Sequence, residues 1–489
     1  MPGFPDRLAA DLVRSRRWYL GLFLALFAAG ACGSARVKPF WYDEVFTLLL
    51  ARLDLSRLLE ALRTGLEQNP PLYLLLERAM AAALGEGHVA SRLISMAGVG
   101  LCSLCLLWFV GRRCGAVCGW VAALIPMFTE AYPYAGEARA YGLLLGSAGL
   151  ALVCWQKACA GERRGLALAG LALSLAAAVS SHYYGVVILA PLAAGEMVRR
   201  KRDPAVWAAM ALGAGPLLPM LALMRGARVY AAGFWAQPSL ASLAGFWEFL
   251  LAPALWPAVL VLLAAVLVKR GKAADPEGEG PPRHEIAAVV TLALAPLLLL
   301  AMAFTLTNAW SDRYALPAVA GVAALAGFAL HRAGARARAA VFLVLFGWFA
   351  LRQAASAMLL FARPADPIAA HALVKGRDAP VAVANGVLFL QLAHYGVPVR
   401  YLGEAAAALR IAGTDSVDRA LVELRNWAPI VVDDYAKFLA AHPRFFVYLT
   451  DTAAAGGRFQ WLAEKLIADG WRLTLRERRG GNFLYEAAR

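Results

Sequence analysis

The amino-acid sequence predicts a polytopic α-helical membrane protein that carries a soluble α/β domain at its C-terminal end. Of its 489 residues, 61% are hydrophobic and only 17% are charged, and the mean hydropathy is +0.59. Apolar segments of about 20 residues recur, which is the length that crosses a hydrocarbon core of roughly 30 Å. After about residue 370, short apolar strands instead alternate with amphipathic helices, a pattern typical of α/β domains.

About eleven membrane-spanning helices are predicted from the apolar segments by length. The first segment is too long for a cleaved signal peptide, and no clear small-residue cleavage site precedes folded soluble sequence. The expected spans run approximately over 18–36, 89–111, 115–133, 140–157, 164–180, 183–198, 204–224, 248–268, 286–306, 314–331 and 338–361.

Lysine and arginine are concentrated in every second loop. Arg14, Arg16 and Arg17 precede the first span, and basic residues follow the second, fourth, sixth, eighth and tenth spans. The positive-inside rule assigns these loops and the N-terminus to the cytoplasm. The net charge of +15 is therefore expected to reflect membrane topology. A nucleic-acid partner is not expected, because such proteins carry their basic residues on a soluble face.

The remaining loops are then expected outside the cytoplasm, and the first of them, 37–88, is long. Within it, Leu55–Leu62 and Leu72–Leu84 are predicted to form helices that lie in the membrane interface. A spanning helix at Leu72–Leu84 is rejected because it would be short, would contain Glu77 and Arg78, and would invert every later loop. We expect a membrane domain over 1–361 and an extracytoplasmic α/β domain over 362–489.

Strands of this C-terminal domain are expected to begin near Pro380, Pro429 and Arg444, with helices around 416–426 and 458–469. This alternation predicts a partly parallel sheet. All seven cysteines lie at or before Cys159, so no disulfide is expected in this domain. The membrane cysteines are interpreted as packing residues rather than as metal ligands.

Four polar and aromatic clusters fall on the predicted outer side. Ionisable groups at a membrane boundary are costly and are therefore functional candidates. Carboxylates suit proton abstraction from a hydroxyl or an amine, and guanidinium groups suit phosphate. We expect the clusters to converge around one outer cavity that opens sideways into lipid. They are centred on Asp43-Glu44, on Glu137, Arg139 and Tyr141, on His182, and on Arg313.

These residue types suggest an enzyme that acts on a lipid-linked substrate. When a sugar leaves a phosphorylated lipid, the leaving phosphate gains charge, which Arg139 or Arg313 can stabilise. The acceptor must lose a proton, which Asp43 can take. The lipid tail needs an apolar groove between helices. No phosphate-binding glycine loop is found in the C-terminal domain, and this chemistry needs no nucleotide pocket.

The order of the motifs resembles that of the C-type (GT-C) membrane glycosyltransferases, and more narrowly the protein mannosyltransferase and aminoarabinose transferase-like group. The similarity is dense over 37–200 and returns at 308–325, where Arg313–Pro317 matches a late arginine-tyrosine-proline element. The earlier motifs that carry it are Trp41–Glu44, Asn69–Leu75, Arg92–Ser95, Glu137–Tyr141 and His182–Tyr184.

The resemblance implies an inverting transfer from a polyprenyl-phosphate sugar donor at the outer face. It implies that Asp43 is the catalytic base, with Glu44 and Glu137 in the catalytic set. Asn69 stands where the group often has histidine, and an amide carries no charge at neutral pH. No cofactor is expected, and no His-rich cluster supports a divalent metal. The residues expected to bind substrate are Arg139, Arg313, Arg92, His182, Asn69 and Tyr141.

Two other function classes stay open. A transporter or flippase for a polyprenyl-linked sugar predicts broken helices in repeated halves and polar residues at mid-membrane depth. A non-catalytic glycan-binding membrane protein leaves the acidic clusters unexplained. The sequence leaves open the sugar and whether the acceptor is a lipid, a glycan or a protein. Its alanine- and arginine-rich composition suggests a bacterial inner-membrane protein, with undecaprenyl phosphate as the lipid carrier and membrane lipids around it.

Overall fold

The structure is a computed structural model, and its contacts divide the chain into two compact units. The first-loop residues 39–68, which the sequence assigned to the membrane domain, pack with the C-terminal residues. Unit one comprises Met1–Lys38, Asn69–Leu221 and Pro238–Arg363, and unit two comprises Pro39–Gln68, Ala222–Gln237 and Pro364–Arg489. The structure describes residues 3–201, 203–227, 236–251, 278–364, 366–383, 385–403, 415–450 and 461–489.

The α-helices of the described residues are numbered in chain order. They are α1 (Phe4–Arg14), α2 (Arg16–Val37), α3 (Tyr42–Ala51), α4 (Leu55–Arg63), α5 (Leu72–Leu84), α6 (Leu93–Cys114), α7 (Ala116–Leu124), α8 (Tyr141–Ala160), α9 (Arg164–Ser181), α10 (Leu189–Arg199), α11 (Pro204–Ala214), α12 (Leu217–Ala227), α13 (Leu240–Leu251), α14 (Arg283–Ala293), α15 (Ala295–Met302), α16 (Ala318–Leu330), α17 (Ala335–Ala357), α18 (Gly386–His394), α19 (Asp415–Leu424), α20 (Tyr435–Ala441) and α21 (Trp461–Ala468).

Seven of the eleven predicted spans have a matching helical stretch. One of these seven, at the predicted span 286–306, is a pair of helices, Arg283–Ala293 and Ala295–Thr307, bent by 48° at Leu294. Within the described ranges, six further stretches are apolar and long enough to cross a membrane, namely Arg16–Val37, Ala90–Cys114, Tyr141–Ala160, Arg164–Ser181, Pro204–Ala227 and Ala335–Phe361.

The count of eleven spans is not confirmed. The predicted spans 115–133 and 314–331 are shorter apolar helices, because Pro126 lies in a 3₁₀ turn after α7 and Pro317 precedes the start of α16. Proline interrupts a helix but suits its first turn. In place of 183–198, a 3₁₀ turn precedes the eleven residues of α10. Beyond Leu251, the span 248–268 lies outside the described residues.

The interface predictions for the first loop are partly tested. Helices form at Leu55–Arg63 and Leu72–Leu84, close to their predicted bounds. Asp54 caps the first of them, because its Oδ1 accepts the backbone N–H of Arg57 at 2.9 Å. Their place in the membrane interface stays a prediction.

Glycines allow α6 and α8 to pack with their backbones in contact. A Cβ atom at Gly98 would approach the carbonyl oxygen of Gly142 to 2.1 Å, and one at Gly142 would approach that of Ser95 to 2.3 Å. Small residues commonly allow such close approach between membrane helices. The contact fixes the start of α8, and therefore Tyr141, against the start of α6.

Ion pairs join three of the predicted basic loops at one end of unit one. Arg112 bonds Glu162 in the loop after α8, and Arg164 at the start of α9 lies 2.6 Å from Asp203. The 20 residues of α8 then place Tyr141 about 30 Å away along the helix axis. The loops therefore share one end, and their cytoplasmic location stays a prediction.

Unit two contains a six-stranded sheet in the order β3-β2-β1-β4-β6-β5. The first four strands in this order pair in parallel, and β6 is antiparallel to both β4 and β5. The predicted partly parallel sheet is confirmed, although only β1, β3 and β4 were expected. The strands are β1 (Val381–Val383), β2 (Val399–Gly403), β3 (Val432–Asp434), β4 (Arg444–Thr450), β5 (Arg472–Arg479) and β6 (Asn482–Ala488).

The packing of α6 on α8 predicts opposite effects for two glycine-to-alanine substitutions. Gly142→Ala forces a methyl group against the Ser95 backbone, and overpacking costs about 1–3 kcal/mol. Gly347→Ala, on α17, meets no atom within 4 Å and is expected to stabilise the helix by up to ~1 kcal/mol. Melting temperatures of the purified variants in detergent test this. Equal melting temperatures would contradict the close helix contact.

Candidate active site

The acidic pair at the start of α3 consists of two carboxylates in different surroundings. Trp41, in extended conformation at the N-cap, donates its backbone N–H to Glu44 Oε2 at 3.3 Å. Glu44 is fully buried, whereas Asp43 is half-buried. Acidic residues in the first turn also interact favourably with the helix dipole. Glu44 therefore fixes the helix start, and Asp43 is the more accessible carboxylate of the two.

Five of the predicted site residues lie close together in unit one. The Arg313 guanidinium lies over the Tyr141 ring, 5.6 Å from its centre. The His182 ring is 5.7 Å from that of Tyr141 and is electrostatically coupled to both Arg139 and Arg313. Glu137 and Arg313 are both near enough to Tyr134 for their charges to influence its hydroxyl group. We call Glu137, Arg139, Tyr141, His182 and Arg313 the cation cluster.

His182 is a neutral histidine between two arginines. Burial, followed by the charges of Arg139 and Arg313, lowers the pKa of His182 to about 3. Its Nδ1 accepts the backbone N–H of Tyr184 at 3.2 Å. This bond assigns the ring proton to Nε2, which is then a hydrogen-bond donor. His182 can therefore orient a polar group without adding charge.

Tyrosine rings surround the cation cluster on several sides. Tyr314 lies 4.9 Å from the His182 ring and stacks on Tyr184 at 5.1 Å, and Tyr134 lies 5.1 Å from Tyr141. The Tyr184 hydroxyl donates to the Ala309 carbonyl at 2.8 Å. Tyr184, Tyr314 and Tyr134 are not among the site residues expected from the sequence. The adjacency of Tyr314 to Arg313 was the signal available for that residue.

Lys38, to which the sequence assigns no role, pairs with a predicted catalytic acid. Its Nζ lies 3.1 Å from Glu137 Oε1 and donates to the Gly136 carbonyl at 3.3 Å. The Glu137 side chain is mostly buried. The negative charge of Glu137 is thus balanced locally by an ammonium group. This pairing favours a role for Glu137 in fixing the loop before Arg139.

Arg92 and Asn69 lie in different settings from the cation cluster. Arg92 is fully buried, and one guanidinium nitrogen donates to the carbonyls of Ala35 at 2.7 Å and Lys38 at 2.8 Å. It thereby satisfies backbone acceptors at the C-terminal end of α2. Asn69 is half-buried in the turn before α5. Substrate binding by either residue stays a prediction.

A small apolar pocket, with room for about one water molecule, adjoins the rings of Tyr184 and Tyr314. It lies beside the bend between α14 and α15, so the broken span supplies part of its wall. Its lining also includes Val187, Ile188, Leu292 and Leu299. The apolar groove that the sequence predicted for a lipid tail stays a prediction.

Two expectations about the site are untested by this geometry. Asp43 and Glu44 belong to unit two and the cation cluster to unit one, so their predicted meeting in a single cavity stays a prediction. Among the described residues, no group of three or more histidine, cysteine, aspartate or glutamate side chains could hold a metal ion.

Comparison with known proteins finds similarity at the level of structure. No protein-family model matches the chain, and no curated protein matches it. The crystal structure of ArnT from Cupriavidus metallidurans in the apo state aligns over 96% of this chain and 98% of that chain, with a TM-score of 0.58 and 13% identity. The same protein bound to undecaprenyl phosphate aligns over the same fractions, with a TM-score of 0.59 and 14% identity.

The chain shares the fold of these ArnT structures, so the GT-C fold expected from the order of the motifs is confirmed. At 13–14% identity the likeness concerns the fold. It leaves the roles of individual residues to be argued from their own surroundings, because one fold can host many functions.

Replacing His182 is predicted to reduce the loss of stability in acid. An unfolded histidine binds a proton below about pH 6.5, whereas folded His182 binds one only near pH 3. Between these values the unfolded state holds more protons, so stability falls as pH falls. His182 accounts for about 2 kcal/mol of this loss at pH 5. Melting temperatures of wild type and His182→Phe between about pH 5 and 7.5 test this, and parallel curves would contradict it.

Proposed function

We propose that this protein is a glycosyltransferase that moves a sugar from a polyprenyl-phosphate-linked donor to an acceptor at the periplasmic face of a bacterial inner membrane. One observation carries the proposal: the buried Arg139 and the half-buried Arg313 lie near the neutral His182, beside a small apolar pocket and within a GT-C fold. The arginine and histidine side chains suit the phosphate diester of such a donor, and the neighbouring apolar surface suits its long lipid tail. We propose that the N-terminus and the ion-paired loop end lie in the cytoplasm.

The donor is held through its phosphate and its lipid. Arg139 and Arg313 present guanidinium groups to the phosphate oxygens, and a guanidinium fork matches phosphate geometry. His182 stays neutral and donates from Nε2. The first part of the lipid chain runs over the apolar surface around Tyr184 and Tyr314. Bound undecaprenyl phosphate in the ArnT structure supports a carrier of this class for this chain.

The transfer is a single displacement with inversion at the anomeric carbon. A hydroxyl or amine of the acceptor attacks that carbon while its bond to the phosphate oxygen breaks. Asp43 takes the acceptor's proton, and polyprenyl phosphate leaves with the bonding electron pair. Arg139 and Arg313 stabilise the added charge on the phosphate in the transition state. The proposal assigns this positive charge to arginines rather than to a metal ion.

A transporter of polyprenyl-linked sugars is the second candidate. It calls for broken helices in repeated halves. Within the described residues one bent span is found, at α14 and α15, and the sequence shows no repeat of it. A glycan-binding protein without catalysis does not call for an accessible carboxylate at the start of α3. The transferase is therefore favoured, with a lipid, a glycan or a protein as acceptor.

Asp43→Asn is predicted to abolish transfer while donor binding survives. The amide keeps the shape of the side chain but cannot take a proton, and loss of a general base costs about 10²–10⁴-fold in rate. Transfer from a panel of defined polyprenyl-phosphate sugars to envelope acceptors gives the rate, and binding of labelled donor gives the affinity.

The matched control for this experiment is Asp54→Asn, which makes the same chemical change in the same loop. Asparagine remains a good N-cap for α4, so near-normal transfer is expected. Unchanged transfer by Asp43→Asn would remove Asp43 from the role of base. Inactivity of wild type with every donor would contradict the proposed function itself.

Arg313→Gln is predicted to lower kcat/KM by about 10²-fold, because one donor to the developing negative charge is lost. Arg313→Lys retains charge without the planar fork and is expected to fall between wild type and Arg313→Gln. Arg139 should behave in the same way. Arg336→Gln, at an exposed position of α17, is the control. Equal activity of Arg313→Gln and Arg336→Gln would contradict the phosphate role.

A further inference from the structure

The extended segment before α3 contains a residue whose backbone groups are bound by distant side chains. Phe40 lies between α2 and α3, outside any helix, so its N–H and C=O need partners from elsewhere in the protein. The N–H donates to the Tyr395 hydroxyl at 2.7 Å, and the C=O accepts from Gln391 Nε2 at 2.9 Å. All three residues belong to unit two.

One face of α18 and its C-cap provide three partners of Phe40. Gln391, His394 and Tyr395 follow the i, i+3, i+4 spacing that places residues on one side of a helix. The His394 ring meets the buried Phe40 ring edge-on, with centres 5.6 Å apart. Two hydrogen bonds and a ring contact thus hold both the backbone and the side chain of a single residue.

Buried residues of α18 anchor the helix in the sheet domain. Leu388, Phe389 and Leu392 are buried, and the Phe389 ring lies 5.6 Å from that of Tyr401 on β2. The helix start is capped by the Asn385 side chain, which accepts the backbone N–H groups of Val387 and Leu388 at 3.0 and 3.2 Å. The face that meets Phe40 therefore has a fixed position.

From this geometry we infer that Gln391 and Tyr395 are positioning residues for the acidic motif. By holding Phe40, they fix the extended Trp41 and the first turn of α3, three residues from Asp43. The soluble sheet domain thereby sets where the Asp43 carboxylate stands. This inference rests on the proposed function in one respect, namely that Asp43 acts as the base.

A general base works only within hydrogen-bond reach of the proton that it takes. Displacing a reacting group by about 1 Å can cost on the order of 10²-fold in rate. Gln391 and Tyr395 are therefore expected to affect the catalytic step rather than donor affinity. A residue that only stabilised the sheet domain would not separate kcat from KM in this way.

The test uses the full-length protein in detergent or nanodiscs. Tyr395→Phe removes the acceptor of the Phe40 N–H while keeping the ring, and Gln391→Met removes the donor to the Phe40 carbonyl while keeping the side-chain length. Tyr435→Phe is the control, because its hydroxyl donates to Asp469 at 2.9 Å in the same unit. Hydrogen exchange of peptides covering 38–46 and steady-state transfer are measured for each variant.

Tyr395→Phe is expected to speed exchange of the Phe40 amide several-fold and to lower kcat about tenfold, with the donor KM within twofold of wild type. Gln391→Met should lower kcat similarly. Tyr435→Phe should match wild type in both measurements. Wild-type exchange at 38–46 in Tyr395→Phe would overturn the inference, and so would faster exchange with unchanged kcat.

Failure of the proposed function has a different signature. Wild type would then transfer no sugar from any donor, whereas an active Asp43→Asn variant would remove only the role of Asp43 as base. An active wild type with a normal Tyr395→Phe variant would instead reject the positioning role alone. Amide exchange at Phe40 reports on the contact itself in either case.

Discussion

The charge that a membrane protein buries must be balanced by its own groups, and unit one meets this requirement differently at its two ends. At the ion-paired end, Glu285 binds Arg113 at 2.6 Å and Gln156 at 3.1 Å, so each charge meets its opposite. At the other end, Arg139 and Arg313 face a neutral histidine and aromatic rings. Aromatic faces attract cations, and Glu137, paired with Lys38, belongs to the same cluster. This end therefore combines guanidinium groups, a neutral imidazole and aromatic rings, whereas the other end is held by direct ion pairs.

His182 is neutral because burial, followed by the charges of Arg139 and Arg313, lowers its pKa. A third cation near these two arginines would add repulsion between positive charges, whereas a neutral ring does not. The Tyr184 backbone bond fixes the tautomer, so the Nε2 proton is available as a donor. The same Tyr184 ring stacks on Tyr314 and borders the apolar pocket. Polar and apolar parts of a lipid-phosphate ligand would therefore meet adjacent surfaces built from the same few residues.

Much of the fold could be predicted from local sequence pattern, but less of the candidate site. Apolar length alone located the seven matched spans, but Pro126 and Pro317 shortened two others. Strand β5 was missed because its exposed side chains include several arginines, and charged residues are common on edge strands. Arg139, His182 and Arg313 were chosen from residue type and order, whereas their contact depends on long-range packing. The sequence around Lys38 did not predict its ion pair with Glu137, which lies 99 positions later in the chain.

The two acids of the first motif show how packing divides roles that sequence cannot separate. Glu44 accepts the Trp41 N–H and is fully buried, so its charge is committed to the helix start. Asp43 is half-buried and remains the more accessible of the two. A ten-residue helix is marginal without tertiary contacts. The position of α3 therefore depends on contacts that hold the residues just before it. Gln391 and Tyr395, more than 350 positions later, hold the backbone N–H and carbonyl of Phe40 just before α3. On this inference, the position of the Asp43 carboxylate depends on how the C-terminal residues fold.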